Sequence, residues 1–135
     1  MEPTLDLNIQ SQLVVEGILH AYLYDGEVIE IIWNHEIKCI EVEHLSAMQI
    51  AVGKLGGGKK MPLYFTAHEF LDVSVDAQAY ATSEEGTRYS LAIAVLLDSL
   101  AIKIDYNAFI KRNQPVVPTI GFTKSSEAID WLKSQ

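Results

Sequence analysis

The chain has a single cysteine, Cys39, so an intramolecular disulfide is excluded. It has few cations: 10 Lys and Arg stand against 18 Asp and Glu, a formal charge of −8. That balance argues against nucleic acid as a partner, because such binding rests on cations neutralising phosphates. It disfavours an anionic membrane surface for the same reason. Long apolar runs are missing too. The longest, Leu91 to Leu97, is far below the roughly 20 residues of a membrane span. No signal-peptide pattern opens the sequence, and the cytoplasm is the expected location.

What is present is an ordinary globular composition, 49% hydrophobic and 21% charged over 135 residues. That length predicts one domain, residues 1–135, with a core of its own. Leu5, Leu7 and Ile9 alternate with polar residues, a period-2 pattern. Leu13 to Tyr24 is rich in β-formers and is followed by Asp25-Gly26, a strong hairpin signal. Val28 to Trp33 is then the returning strand. Val42, Leu45, Met48, Val52 and Leu55 fall on one helical face, with Glu41 and Glu43 in the first turn. Lys54 and Gly56 to Gly58 close that helix.

Pro62 to Ala67 predicts the next strand, and Ser74 a helix N-cap, with the helix running through Ala77, Tyr80 and Ala81 to Gly86. Leu91 to Leu97 is apolar on both faces, as in a strand covered from both sides. Ser99 opens a further helix with Ile102, Tyr106, Phe109 and Ile110 inward. Pro118 places the strand of Val116 to Phe122 at a sheet edge, since proline donates nothing to a ladder. Thr123 is the expected cap of a last helix whose Ala128, Trp131 and Leu132 fold back on that strand. The expected class is α/β: a mixed sheet in which an antiparallel N-terminal hairpin precedes alternating α-β-α-β-α-β-α.

The run from Arg88 to Gln135 resembles the C-terminal half of STAS-like, SpoIIAA-like domains of small bacterial proteins. The matching residues are SLAIAVLLDS, Asn107 and Phe109, Pro115 and Pro118, Phe122-Thr123, and Ala128 with Trp131-Leu132. DVSVDAQAY, from Asp72, is similar to a helix start in the same family. The resemblance implies a SpoIIAA-like mixed sheet, a fold shared with lipid-exchange domains. It also implies a regulatory, protein-interaction role, since better-known members bind a kinase and are switched by serine phosphorylation. Ser74, between Val73 and Val75, is the corresponding position.

Catalytic and metal motifs are weak. Gly53 to Lys60, GKLGGGKK, approaches a phosphate-binding loop but follows a helix where such a loop precedes one. His35-Glu36 and His68-Glu69 begin H-E-x-x-H, yet Cys39 and Asp72 stand where the second histidine belongs. No metal or cofactor is expected, and no enzyme. With no such motif beside it, the resemblance implies a non-enzymatic interaction module whose partner is another protein or a second copy of itself. The alternative is a carrier of a lipid or small apolar ligand, with Phe65, Phe70, Tyr80, Tyr106 and Phe109 lining a cleft between sheet and helices.

Overall fold

The computed structural model describes residues 1–68 and 71–135. The elements run β1 (Ile9–Val15), β2 (Leu19–Tyr24), β3 (Val28–Trp33), β4 (Cys39–Ile40), α1 (Val42–Leu55) and β5 (Met61–Thr66). Then follow β6 (Asp72–Val73), α2 (Val75–Ala81), β7 (Ser90–Leu96), α3 (Leu100–Arg112), β8 (Thr119–Phe122) and α4 (Ser125–Lys133). The main sheet has the order β1-β2-β3-β5-β7-β8. β1, β2 and β3 are antiparallel, and β3, β5, β7 and β8 are parallel. The mixed α/β class read from the sequence is the one observed. None of the described helices is long and apolar enough to cross a membrane.

The hairpin turn forms as its residues dictate. Asp25 and Gly26 both take positive φ, 52° and 71°, the twist that two antiparallel strands require. Two features differ from the sequence reading. The stretch Leu13 to Tyr24 is divided at Gly17 into β1 and β2, which pair with each other. Leu5 and Leu7 precede the strand and pack under the sheet, although they alternate as strand residues would. A second, two-stranded sheet, β4 with β6, joins the connections that lead into α1 and into α2.

β8 is an edge strand, as expected, but it spans Thr119–Phe122 instead of Val116 to Phe122, so the proline does not itself impose the edge. The proline lies just before the strand, where its carbonyl accepts from Ile93 N–H at 2.8 Å. α2 ends at Ala81, not at Gly86, because Thr82 and Ser83 hydroxyls donate to the carbonyls of Gln78 and Tyr80 at 3.0 and 2.6 Å. α4 starts after Lys124, whose side chain makes no cap bond, so Thr123 is not its cap.

The layers follow from strand alternation. One face presents Leu19, Ile29, Ile31, Leu63 and Trp33 to α1 and α2, which bury Leu45, Met48, Val52 and Ala77 against them. The other face presents Tyr64, Ala92 and Ala94 to Ala128, Ile129 and Leu132 of α4. Trp131, half-buried, reaches the edge strand at 5.7 Å between ring centroids with Phe122. Beside α4, the N-terminal segment is fastened by Glu30. This fully buried carboxylate accepts from Tyr24 Oη at 2.6 Å, from Thr4 N–H at 3.1 Å and from the Thr4 hydroxyl. Tyr22 Oη adds a bond to the Met1 carbonyl at 2.7 Å.

Candidate functional site

α3 is the least embedded helix of the chain. Of its thirteen residues only Ile102 is buried. Its start is fixed by Ser99, whose Oγ accepts from Ile102 N–H at 3.2 Å. Its end is tied to α2. There Gln78 Oε1 accepts from Asn113 Nδ2 at 2.8 Å and from Arg112 at 3.4 Å, while Gln78 Nε2 donates to the Val73 carbonyl at 2.9 Å. Between these attachments the helix bridges a cleft of about 370 Å³.

Trp33, Phe65, Ile93 and Val95 of the sheet form the floor, and Tyr106, Ala108 and Phe109 of α3 the roof. Trp33, largely buried, and Phe65 stack with ring centroids 6.3 Å apart and planes inclined by 20°. The roof comes down on the edge strand because Gly121 has no side chain. A Cβ there would lie 2.5 Å from Leu97 Cδ1 and 3.0 Å from the Tyr106 ring. Burial pushes the Tyr106 hydroxyl above the usual phenol value, consistent with a ring held in an apolar setting.

Three of the five aromatics expected to line a cleft do so: Phe65, Tyr106 and Phe109. Tyr80 does not. It packs against the core between α1 and the sheet, because α2 turns that face toward α1. Phe70 lies outside the described residues. Trp33, Ile93 and His68 belong to the lining, although the sequence reading did not place them in a cleft. Trp33 ends a strand beside the parallel Phe65 strand, and the pairing of β3 with β5 is what joins the two rings.

Ser74 sits away from the aromatic walls, at the start of α2. Its Oγ accepts from Ala77 N–H at 3.2 Å, so it is the N-cap. Ser74→Ala is expected to cost about 1 kcal/mol and Ser74→Asp to be nearly neutral in a denaturation curve. A folded Ser74→Asp protein that lost a ligand or partner would show a role beyond capping.

The remaining motifs are accounted for locally. Backbone N–H groups of Gly56, Gly57 and Gly58 bond back to the carbonyls of Val52, Lys54 and Gly53 at 2.9, 3.4 and 2.8 Å. They terminate α1 and leave no cradle for phosphate. His35 and His68 approach with ring centroids 5.1 Å apart, and His68 Nε2 donates to the Ile37 carbonyl at 3.0 Å. His44 Nδ1 accepts from Glu41 N–H at 2.9 Å. Among the described residues no three His, Cys, Asp or Glu side chains gather as metal ligands. The Cys39 thiol donates to Glu41 Oε1 at 3.3 Å. That bond, with desolvation next, pushes the thiol up, away from the thiolate a nucleophile needs.

No curated protein matches the chain. Among solved structures, a protein with unknown function from Arthrobacter sp. FB24 is similar at 20% identity, over 91% of this chain and 98% of that one, with a TM-score of 0.32. A family match covers residues 13–135, almost the whole described fold and all of the cleft. The chain belongs to the family described as "Domain of unknown function (DUF7793)".

Proposed function

We propose that this domain binds a small apolar molecule in the cleft beneath α3. The cleft itself carries the reading. A volume of about 370 Å³, walled by Trp33, Phe65, Ile93, Tyr106 and Phe109, lies within the range of small-molecule sites. A helix with one buried residue in thirteen gains from an occupant that fills the space below it. The sequence resemblance to STAS-like domains is compatible with this use, since it implies a fold shared with lipid-exchange domains.

The test is extraction. Protein purified from its host, washed and treated with organic solvent, is expected to release one apolar compound at near-stoichiometric amount by mass spectrometry. Ala108→Trp, which fills the cleft from its roof, is expected to come out empty. A clean extract from the unaltered chain would overturn the reading, as would a compound that persists in a folded Ala108→Trp protein.

A second reading, a contact surface for another protein, is favoured by Leu100 and Ile104. They lie one turn apart on α3 and are exposed at 73% and 58%.

A further inference from the structure

We infer that the ligand of this cleft is a neutral, ring-bearing molecule, as opposed to a fatty acid or another anionic amphiphile. This rests on the binding role proposed above and narrows it to a chemical class. The first observation is the arrangement of aromatic surface. Phe65, backed by its stacked and largely buried partner Trp33, presents aromatic surface on the floor, and Tyr106 and Phe109 line the roof. A flat ring inserted between floor and roof meets aromatic faces or edges on both sides, a contact worth more than its area alone. A saturated chain gains only the area.

The second observation is charge. Among the described residues, the fixed charges of the lining are the carboxylates of Asp72 and Asp105 and the guanidinium of Arg112. Arg112 is already directed to Gln78 Oε1, as part of the link between α3 and α2. An anionic head group would enter a site with more negative than positive groups, in a chain of net charge −8. It would lose its hydration without gaining a dedicated cation. A neutral molecule has no such cost.

The third observation is size. About 370 Å³ falls toward the lower end of small-molecule pockets, which suits a small ring system better than a diacyl lipid.

The test uses matched probes. N-phenyl-1-naphthylamine is neutral; 8-anilinonaphthalene-1-sulfonate carries the same rings and a sulfonate; 1-dodecanol is neutral and saturated. Titration of the full chain, followed by probe fluorescence and by displacement, is expected to rank the neutral aromatic first, with the sulfonate at least roughly tenfold weaker. Dodecanol is expected to displace poorly. Tyr106→Leu and Phe109→Leu, checked as folded by thermal melting, are each expected to weaken the neutral aromatic roughly two- to tenfold while leaving dodecanol unchanged.

Equal binding of the sulfonate, or displacement by dodecanol as strong as by the aromatic probe, would overturn the class while leaving the cleft as a binding site. So would Leu variants that bind the aromatic probe as well as the original chain. Failure of all three probes to bind would instead overturn the binding role itself.

Discussion

Glu30→Ala is expected to lower stability by about 3 kcal/mol, a large share of what a domain of this size has. The carboxylate is fully buried in the middle of β3, and three donors converge on it: the Tyr24 hydroxyl, Thr4 N–H and the Thr4 hydroxyl. Removing it leaves the Tyr24 hydroxyl, itself fully buried, without an acceptor and opens a void beside it. It also frees the segment that carries Leu5 and Leu7 across the sheet. Chemical denaturation measures the loss, and protease cleavage before Asn8 reports release of the segment. Tyr24→Phe removes one donor and should cost less, and a double-mutant cycle separates the bond from the void. An unchanged midpoint in Glu30→Ala would show that the N-terminal segment is not held by this residue. Glu30→Leu is a useful contrast, because a well-packed apolar residue can replace a buried ionic group without loss.

Stability is expected to be level up to about pH 10 and to fall steeply above it. The cause is the tyrosine row around Glu30. Tyr64 is pushed up to about 12, by burial first and by the charges of Glu30 and Asp98 next. Tyr24 is raised by burial first and then by its bond to Glu30. Both phenols keep their protons in the folded chain at a pH where the unfolded chain has lost them. The folded values are the raised ones, so this stabilisation is intact below the unfolded value of about 10. It is lost as pH climbs toward the folded value. Each tyrosine contributes about 1.4 kcal/mol per pH unit in that window, so Tyr64 alone accounts for about 2–3 kcal/mol by pH 12. Denaturant midpoints measured from pH 8 to 12 check the slope, and Tyr64→Phe should flatten it. A slope unchanged in Tyr64→Phe would place the titrating groups elsewhere.

The residues differ in how much of this they disclose by themselves. Asp25-Gly26 announces its turn, because few residues accept positive φ and both are placed between apolar runs. LAIAVLL announces a strand with two covered faces, and β7 is paired on both sides between β5 and β8. Glu16-Gly17 does not announce the β1–β2 turn, since a single polar pair inside LVVEGILH disturbs the apolar pattern little. Glu30 reads as a solvent-facing residue in VIEIIW. Its burial depends on the N-terminal segment folding beneath the sheet, a contact without a local signature. The cleft is hidden for a related reason. Tyr80 and Tyr106 are the same residue type on the inward faces of their helices, and only the stand-off of α3 makes one a core side chain and the other a wall.

The sheet lists its main strands in chain order, and that order has a consequence for how the molecule is made. Ile29 meets Leu63, Leu63 meets Ile93, and Ile93 meets Thr119, each pair separated by one crossover. A chain emerging from its N-terminus can therefore add each new strand to the rim completed just before it, without reopening a pairing already formed. β1 stays outermost throughout, and the growing rim advances toward β8. Each crossover still closes a loop of about 30 residues before its pairing is gained, which makes these parallel steps the slow ones. Of the two open edges, β1 is fixed from the start and only the other advances, ending on the short β8, preceded by Pro118.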